Sequence, residues 1–486
     1  MSTAVSTPDD ARISLEYRLA DLPTAQHKAG LAGLVLLIEN LKERAVEPRP
    51  VLVRVDGHAA TIELDEAGLK GLFDDLYDGY WTEASYGSKL QNKEPKRIDE
   101  IEREVAGKTK TEKRTKTERR FIYDDFRPKG ALFRHLLQGG EQSPWLKLWQ
   151  DMLWAVLRAQ PKTREEYKRR AEKEHATVTA QLWPKLCKAG RKQGQGRPVT
   201  DSIAGSIFVG AQDKNAERVV FQGLVEQNLL LHFWPLVAPV FVPRSVDIKN
   251  KRRADQGYLL AIPEVADLES FVAEIRDYWK SLDQRVQGQS FRPATCFVDV
   301  PEEVGLEFLF RLSQQRIQQE DLAGELLAIE WYHQEKQGNN VRMHGSGRLV
   351  PDERIFREYK RLRDHNGNPL FKSLLIRNLL DGCDWFAGAQ TLFEAYPVEF
   401  FIQSPGSPRF RPFGLDAGCY FRDRIIHVID LQEKNGMTEA IDRHARLARR
   451  VYWLIGTYVR HRRRVFVRRT QHVRSPKQRQ IIQDCF

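Results

Sequence analysis

Residues 257–279 read GYLLAIPEVADLESFVAEIRDYW, and residues 295–319 read TCFVDVPEEVGLEFLFRLSQQRIQQ. Each passes from a short apolar run, through a turn with proline and glutamate, into a stretch whose apolar residues recur every three or four positions. A change of period from two to 3.6 marks a strand handing over to an amphipathic helix. Asp267 stands where a helix N-cap belongs, and Asp299 with Pro301 repeats the scheme. Two such units in succession imply an alternating α/β layer in this part of the chain.

Toward the N-terminus, ISLEYRL (13–19) reads as a strand and AQHKAGLAGLVLLIENL (25–41) as an apolar helix. VLVRVDGHAATIEL (51–64) alternates like a hairpin turning at Asp56-Gly57. The stretch 89–120, with KTKTEKRTKTERR at its end, is low in complexity and shows no apolar face, so a mobile charged loop is expected there. Residues 128–190 read as helices with Trp145, Trp149, Trp154 and Trp183 on core stripes. GRKQGQGRP (190–198) ends that helical part with three glycines and a proline. Beyond it, ELLAIEWYHQEKQGNNVRMHGSGRLV (325–350) reads as a hairpin with QGNN at its tip, and after Pro351 the chain reads as helical to its end. The fold class expected is therefore α+β: a mixed body over 1–350 with small sheets and helices, followed by a C-terminal helical bundle over 351–486.

Charge points to a partner. The chain of 486 residues carries a net +11, and residues 441–480 alone hold thirteen Lys+Arg against Asp442, a net of +12. The rest of the chain is close to neutral. Positive charge confined to one segment suits a polyanion, because counterion release on binding phosphate is local. Within it, RLARRVYWLIGTYVRHRRRVFVRR (446–469) has nine mostly apolar residues, Val451 to Val459, between arginine clusters. Spanning a bilayer takes about 20, so no membrane segment is expected. At helical period, Leu447, Val451, Leu454, Ile455, Tyr458 and Val459 form a core stripe that leaves Arg446, Arg449, Arg450, Arg460, Arg463 and Arg464 beside it. With Arg462, Arg468 and Arg469 they are candidates for holding nucleic-acid backbone, since the guanidinium fork donates two hydrogen bonds to a phosphate and keeps its charge.

Apparent enzyme signals fail on their chemistry. Gly107-Lys108-Thr109 lacks the glycine a phosphate-cradling P-loop needs five positions earlier, where Glu102 stands. MHGSG around Ser346 lacks the first glycine of a nucleophile elbow. The Asp pairs 74/75 and 124/125 have no accompanying metal-site motif, Glu302 and Glu303 are explained by the dipole of a helix start, and twelve histidines are scattered. Cysteines 187, 296, 383, 419 and 485 show neither zinc-ligand nor disulfide spacing. No metal or other cofactor is expected. The N-terminus lacks the apolar run of a secretory signal, so the expected location is cytoplasmic.

Two loops are candidates for contact with duplex DNA. In GRKQGQGRP, small residues permit close backbone approach while Lys192, Gln193, Gln195 and Arg197 supply donors to a groove; in GAQDKN (210–215), Gln212, Lys214 and Asn215 do the same. A plain linker and a solvated turn are the competing readings.

The block from Asp201 to Asp247, with GAQDKNAERVVFQG and LLLHFWPLVAPVFVPRSVD, followed by GYLLAIPEVADLESF, resembles the large subunit of type I CRISPR-Cas surveillance complexes (Cascade), in the myxan-type subgroup of subtype I-B. The likeness covers residues 200–275 best. It implies a non-enzymatic subunit that recognises the PAM in duplex DNA and helps open it, while a crRNA reads the target by base pairing. Implied partners are the crRNA, the target double-stranded DNA, the backbone, handle-binding and small subunits, a crRNA-processing endoribonuclease and a recruited helicase-nuclease. It also implies a C-terminal bundle like the small subunits, and prompts Met343 as a possible internal translation start. The alternatives are a metal-dependent nuclease with a dispersed acidic site, using Asp124, Asp125 or Glu264, and a stand-alone nucleic-acid-binding scaffold.

Overall fold

The computed structural model describes residues 12–420 apart from 91–92, 107–112, 158–162, 193–197, 204–207, 211–220, 288–290, 315–323, 339, 364–366 and 402–409. The chain divides into two compact units, each assembled from separate stretches. Residues up to 241, 258–296 and 311–351 form one, and 242–257, 297–310 and those from 352 onward form the other.

In the first unit the helix Ala25–Glu43 is buried along most of its length. Thr24 starts it, its side chain accepting from the His27 backbone N–H. A helix apolar on all sides needs neighbours on all sides, and its glycines show how close one comes. A Cβ on Gly30 would lie 2.2 Å from the Leu230 carbonyl oxygen, and one on Gly33 2.2 Å from that of Phe233. The AGLAGL spacing lets this helix and the segment carrying Leu230 and Phe233 meet backbone to backbone.

Residues 257–279 fold locally as read. Tyr258–Val265 is a strand, Leu268–Ser281 is a helix, and Asp267 caps it by accepting from Ser270 N at 3.0 Å. The neighbours, however, are not those of an alternating α/β layer. Tyr258–Val265 pairs antiparallel with Leu326–Gln337 and, on its other edge, antiparallel with Val240 and Phe241. Leu326–Gln337 then turns back at Gly338 into Asn340–Leu349. The misreading has a physical cause: seven of the eight residues of Tyr258–Val265 are buried, and burial on both faces is the usual signature of a parallel strand. The Asp56-Gly57 hairpin forms as read, with Asp56 Oδ1 accepting from His58 N and Ala59 N at 2.9 Å each, and Ile13–Arg18 adds to its second strand.

The stretch expected to be a charged loop is instead part of a three-stranded antiparallel sheet. Arg97–Ala106 and Gly79–Tyr86 flank the central strand Lys113–Pro128. The register sets Glu100 against Arg119 and Asp99 against Arg120, and Arg119 Nε donates to Glu100 at 3.1 Å. Those two opposite-charge pairs, with β-branched threonines at 115 and 117 on the central strand, suit a cross-strand pairing. Without its partner strand the same residues look like low complexity. The helices that follow, among them Ala131–Leu136, Pro144–Asp151 and Val178–Lys192, bury Trp145, Trp149 and Trp183 as expected; Trp154 is half-buried, with the Arg164 guanidinium 5.0 Å from its ring centroid.

In the second unit, every described element from Asp352 to Tyr420 is helical. Pro369–Leu380, capped by the buried Asn368, packs on a cluster that includes Phe371, Phe400, Phe401 and Phe413. The unit also contains Phe297–Val298, a two-residue strand parallel to Val242–Pro243, and the helix Glu303–Ser313 starts within it.

Candidate nucleic-acid interface

Described chain flanks both loops proposed to meet duplex DNA. Lys192 is the last residue of the helix Val178–Lys192, which runs two residues past Gly190 into the glycine-rich segment. Gln193, Gln195 and Arg197 lie outside the described residues. The chain is described again at Pro198 and enters the strand Thr200–Ile203, which an ion pair of 2.5 Å between Lys185 and Asp201 ties back to that helix. This strand pairs antiparallel with Phe221–Leu224, Thr200 opposite Leu224 and Ile203 opposite Phe221. The glycine-rich segment therefore leads into one end of a four-residue ladder, and Ile203 and Phe221 close the other end, about 10 Å away along the strands.

Gln212, Lys214 and Asn215 also lie outside the described residues, but Gly210, the first residue of GAQDKN, does not. Its φ of +84° is one that glycine adopts without strain, and a Cβ there would sit 3.2 Å from Tyr332 Cε1 and 3.3 Å from Met343 Cε. Just before it, Val209 N donates to Gln26 Oε1 at 3.0 Å, and the Phe208 ring lies 5.8 Å from that of His27. Burial lowers the His27 pKa to about 4, so this anchor is neutral near pH 7. The start of the helix Ala25–Glu43 thus fixes where this loop begins.

Other residues singled out by sequence find structural roles. MHGSG lies in the strand Asn340–Leu349, with Ser346 opposite Tyr332 and Met343 opposite Gln334. A Cβ on Gly347 would approach the Trp331 ring to 2.7 Å, so the glycine clears space for an indole and not for a nucleophile. Asp124 and Asp125 are adjacent on the strand Lys113–Pro128, and adjacent strand residues point to opposite faces. Asp124 pairs with Lys96 at 2.8 Å and Asp125 with Arg127 at 3.3 Å. Glu264 is held by Lys28 at 2.9 Å and Arg348 at 2.7 Å; burial raises its pKa, but those two cations outweigh it and the net shift is downward. Asp75 pairs with Arg44, and Asp74 accepts from Ala176 N. Among the described residues, no group of three or more His, Cys, Asp or Glu is placed to hold a metal ion, and no helix is long and apolar enough to cross a membrane.

The C-terminal arginines, Arg446, Arg449, Arg450, Arg460, Arg462, Arg463, Arg464, Arg468 and Arg469, lie outside the described residues. A feature that sequence reasoning missed lies in the first unit. A cleft of about 490 Å³ opens between the sheet strands bearing Tyr80 and Arg127, which are cross-strand partners, and the helix Pro144–Asp151. The Lys147 ammonium stands 5.0 Å from the centroid of the Phe291 ring in its wall. Lys147 sits in SPWLKLWQD, where the tryptophan pattern drew attention to the buried face only. The one hint in the sequence was an aromatic in the short strand Gly79–Tyr86, whose Tyr80 proves to be 41% exposed.

Comparison with known families covers most of the chain. Residues 50–322 match the family described as Type I-B CRISPR Cas8b N-terminal domain, and residues 326–481 match Type I-B CRISPR Cas8b C-terminal domain. No curated protein matches the chain.

Proposed function

The chain belongs to the Cas8b family, the large subunits of type I-B Cascade, and from that premise we propose that it recognises the PAM in duplex DNA and helps open the duplex for a crRNA. The observation that carries this reading is the pair of family matches, which together extend over residues 50–322 and 326–481. Physical features support it. Two polar, glycine-containing segments flank the strands of one short ladder in the sequence, 190–198 before Thr200 and 210–215 before Phe221. The localised basic segment at 441–480 supplies sequence-independent attraction, leaving target reading to RNA pairing. The subunit acts without catalysis of its own; strand cutting falls to a recruited helicase-nuclease.

Its partners are the crRNA, the target duplex, the backbone, handle-binding and small subunits, and the endoribonuclease that processes the guide. The test uses the assembled complex and a library of target duplexes randomised at the flanking positions. Replacing Gln193 and Gln195 with Ala, or Lys214 and Asn215 with Ala, relaxes the preference at particular flanking positions by roughly 1–3 kcal/mol for each base no longer read. An unchanged preference profile in both double variants overturns the assignment of these loops. Met343 as an internal start gives a product of residues 343–486 that keeps the helices after Pro351 and lacks the strand Leu326–Gln337. Intact-mass spectrometry of the purified complex shows that short chain if the start is used, and its absence ends the idea.

A further inference from the structure

We propose that the cleft between Tyr80, Arg127, Lys147 and Phe291 holds one unpaired nucleotide of a single-stranded nucleic acid, guanine being the base it fits best. The inference rests on the chain being a nucleic-acid-binding subunit, and assigns a site that neither candidate loop includes.

Volume, charge and chemistry agree on this ligand. About 490 Å³ falls within the ~300–1,000 Å³ typical of small-ligand sites. Tyr80 and Phe291 both line the cleft and offer rings for a base to stack on. The acids at the rim are already neutralised: Glu83 pairs with Lys96 at 3.2 Å and Arg97 at 2.8 Å, and Glu141 with Arg134 at 3.1 Å. Lys147, by contrast, has no carboxylate within salt-bridge distance among the described residues; its ammonium lies over the face of Phe291, and its charge acts on Asp151 one helical turn on. Lys129 is 3.6 Å from Asp78, a loose pairing that leaves its ammonium free to turn toward phosphate. Lys147 also lies in the first turn of the helix Pro144–Asp151, where the helix dipole favours an anion.

Asp151 supplies the selectivity. Its half-buried carboxylate lines the cleft, and its pKa is raised by burial while Arg292, Arg127 and Lys147 oppose the rise. A carboxylate accepts two parallel N–H donors side by side, which guanine presents from N1 and N2; cytosine and adenine offer only an amino group, and thymine a single ring N–H. A base inside a duplex has that edge occupied by its partner, so the site takes an unpaired nucleotide.

The experiment measures fluorescence anisotropy of the full chain with labelled oligo-dT carrying one central dG, dC, dA or dT, alongside a PAM-containing duplex. The expected order places dG roughly tenfold tighter than dT. Asp151→Asn removes that advantage and leaves dT binding unchanged. Lys147→Ala weakens all four oligonucleotides and lowers the salt slope by about one. Tyr80→Leu, at an exposed position that does not threaten folding, weakens all four without changing the slope. Equal affinities across the four oligonucleotides overturn the proposal, as does a dG preference that survives in Asp151→Asn. A flat oligonucleotide series with intact duplex binding removes this cleft alone, whereas loss of PAM-dependent duplex binding in the unmodified protein removes the functional reading.

Discussion

Lys372 shows how one side chain can hold several others in place. Its ammonium lies 2.9 Å from Asp299 and 3.2 Å from Glu303, and Tyr359 donates to Glu303 at 3.1 Å and to Glu307 at 2.9 Å. Burial raises the pKa of Glu303 against the pull of Lys372; burial works to lower that of Lys372, but Glu303 and Asp299 raise it overall. Lys372→Ala leaves the buried Glu303 without its cation, while Asp299 keeps Arg253, and should cost roughly 3–5 kcal/mol, read as a lower urea midpoint. Sequence explained Glu303 by its helix start alone. That explanation is sound as far as it goes, since Glu303 Oε2 accepts from Asp299 N at 2.6 Å, but the acid's burial depends on residues 359 and 372, far away in the chain. His27 makes a pH prediction. Its folded pKa of about 4 lies below the ordinary 6.5, so the unfolded chain takes up a proton first as pH falls. Its contribution is present above pH 6.5 and is lost as pH drops toward 4, at most about 3 kcal/mol. The melting temperature should fall across that window, and less steeply in His27→Gln.

At the scale of elements, periodicity located strands and helices well wherever their own residues carried the pattern. The Asp56-Gly57 hairpin, the Asp267 cap and the hairpin 326–349 all rest on local chemistry: a side chain bonding backbone two or three residues away, or a turn flanked by alternating strands. The sheet 79–128 was missed because its logic is cross-strand, with Glu100 meaningful only beside Arg119. Glycine spacing in the helix Ala25–Glu43 is plain in the sequence, yet its meaning lies in the neighbour it admits. Gly30→Ala tests that meaning through the sign of the effect. In an exposed helix the change stabilises by about 1 kcal/mol, whereas here a Cβ 2.2 Å from the Leu230 carbonyl must push two elements apart. The expected outcome is destabilisation of roughly 1–3 kcal/mol by chemical denaturation.

For the whole molecule, the partition of charge makes the clearest prediction. Replacing Arg460, Arg462, Arg463 and Arg464 with Gln should weaken binding to every DNA sequence alike and lower the slope of log affinity against log salt by about 0.9 for each phosphate no longer neutralised. Undiminished salt dependence in that variant would falsify the backbone-binding role of these arginines. Sequence by itself determined the family, through motif wording at 201–275, the α+β class and the confinement of net positive charge to 441–480, because each is carried by residues close together in the chain. Only the tertiary structure decided that Tyr258–Val265 has antiparallel neighbours, that Asp124 and Asp125 face apart, and that Tyr80, Lys147 and Phe291 line one cleft. Strand pairing and clefts join residues tens to hundreds of positions apart, and which of many compatible partners a segment takes is settled by packing and not by the segment's own pattern.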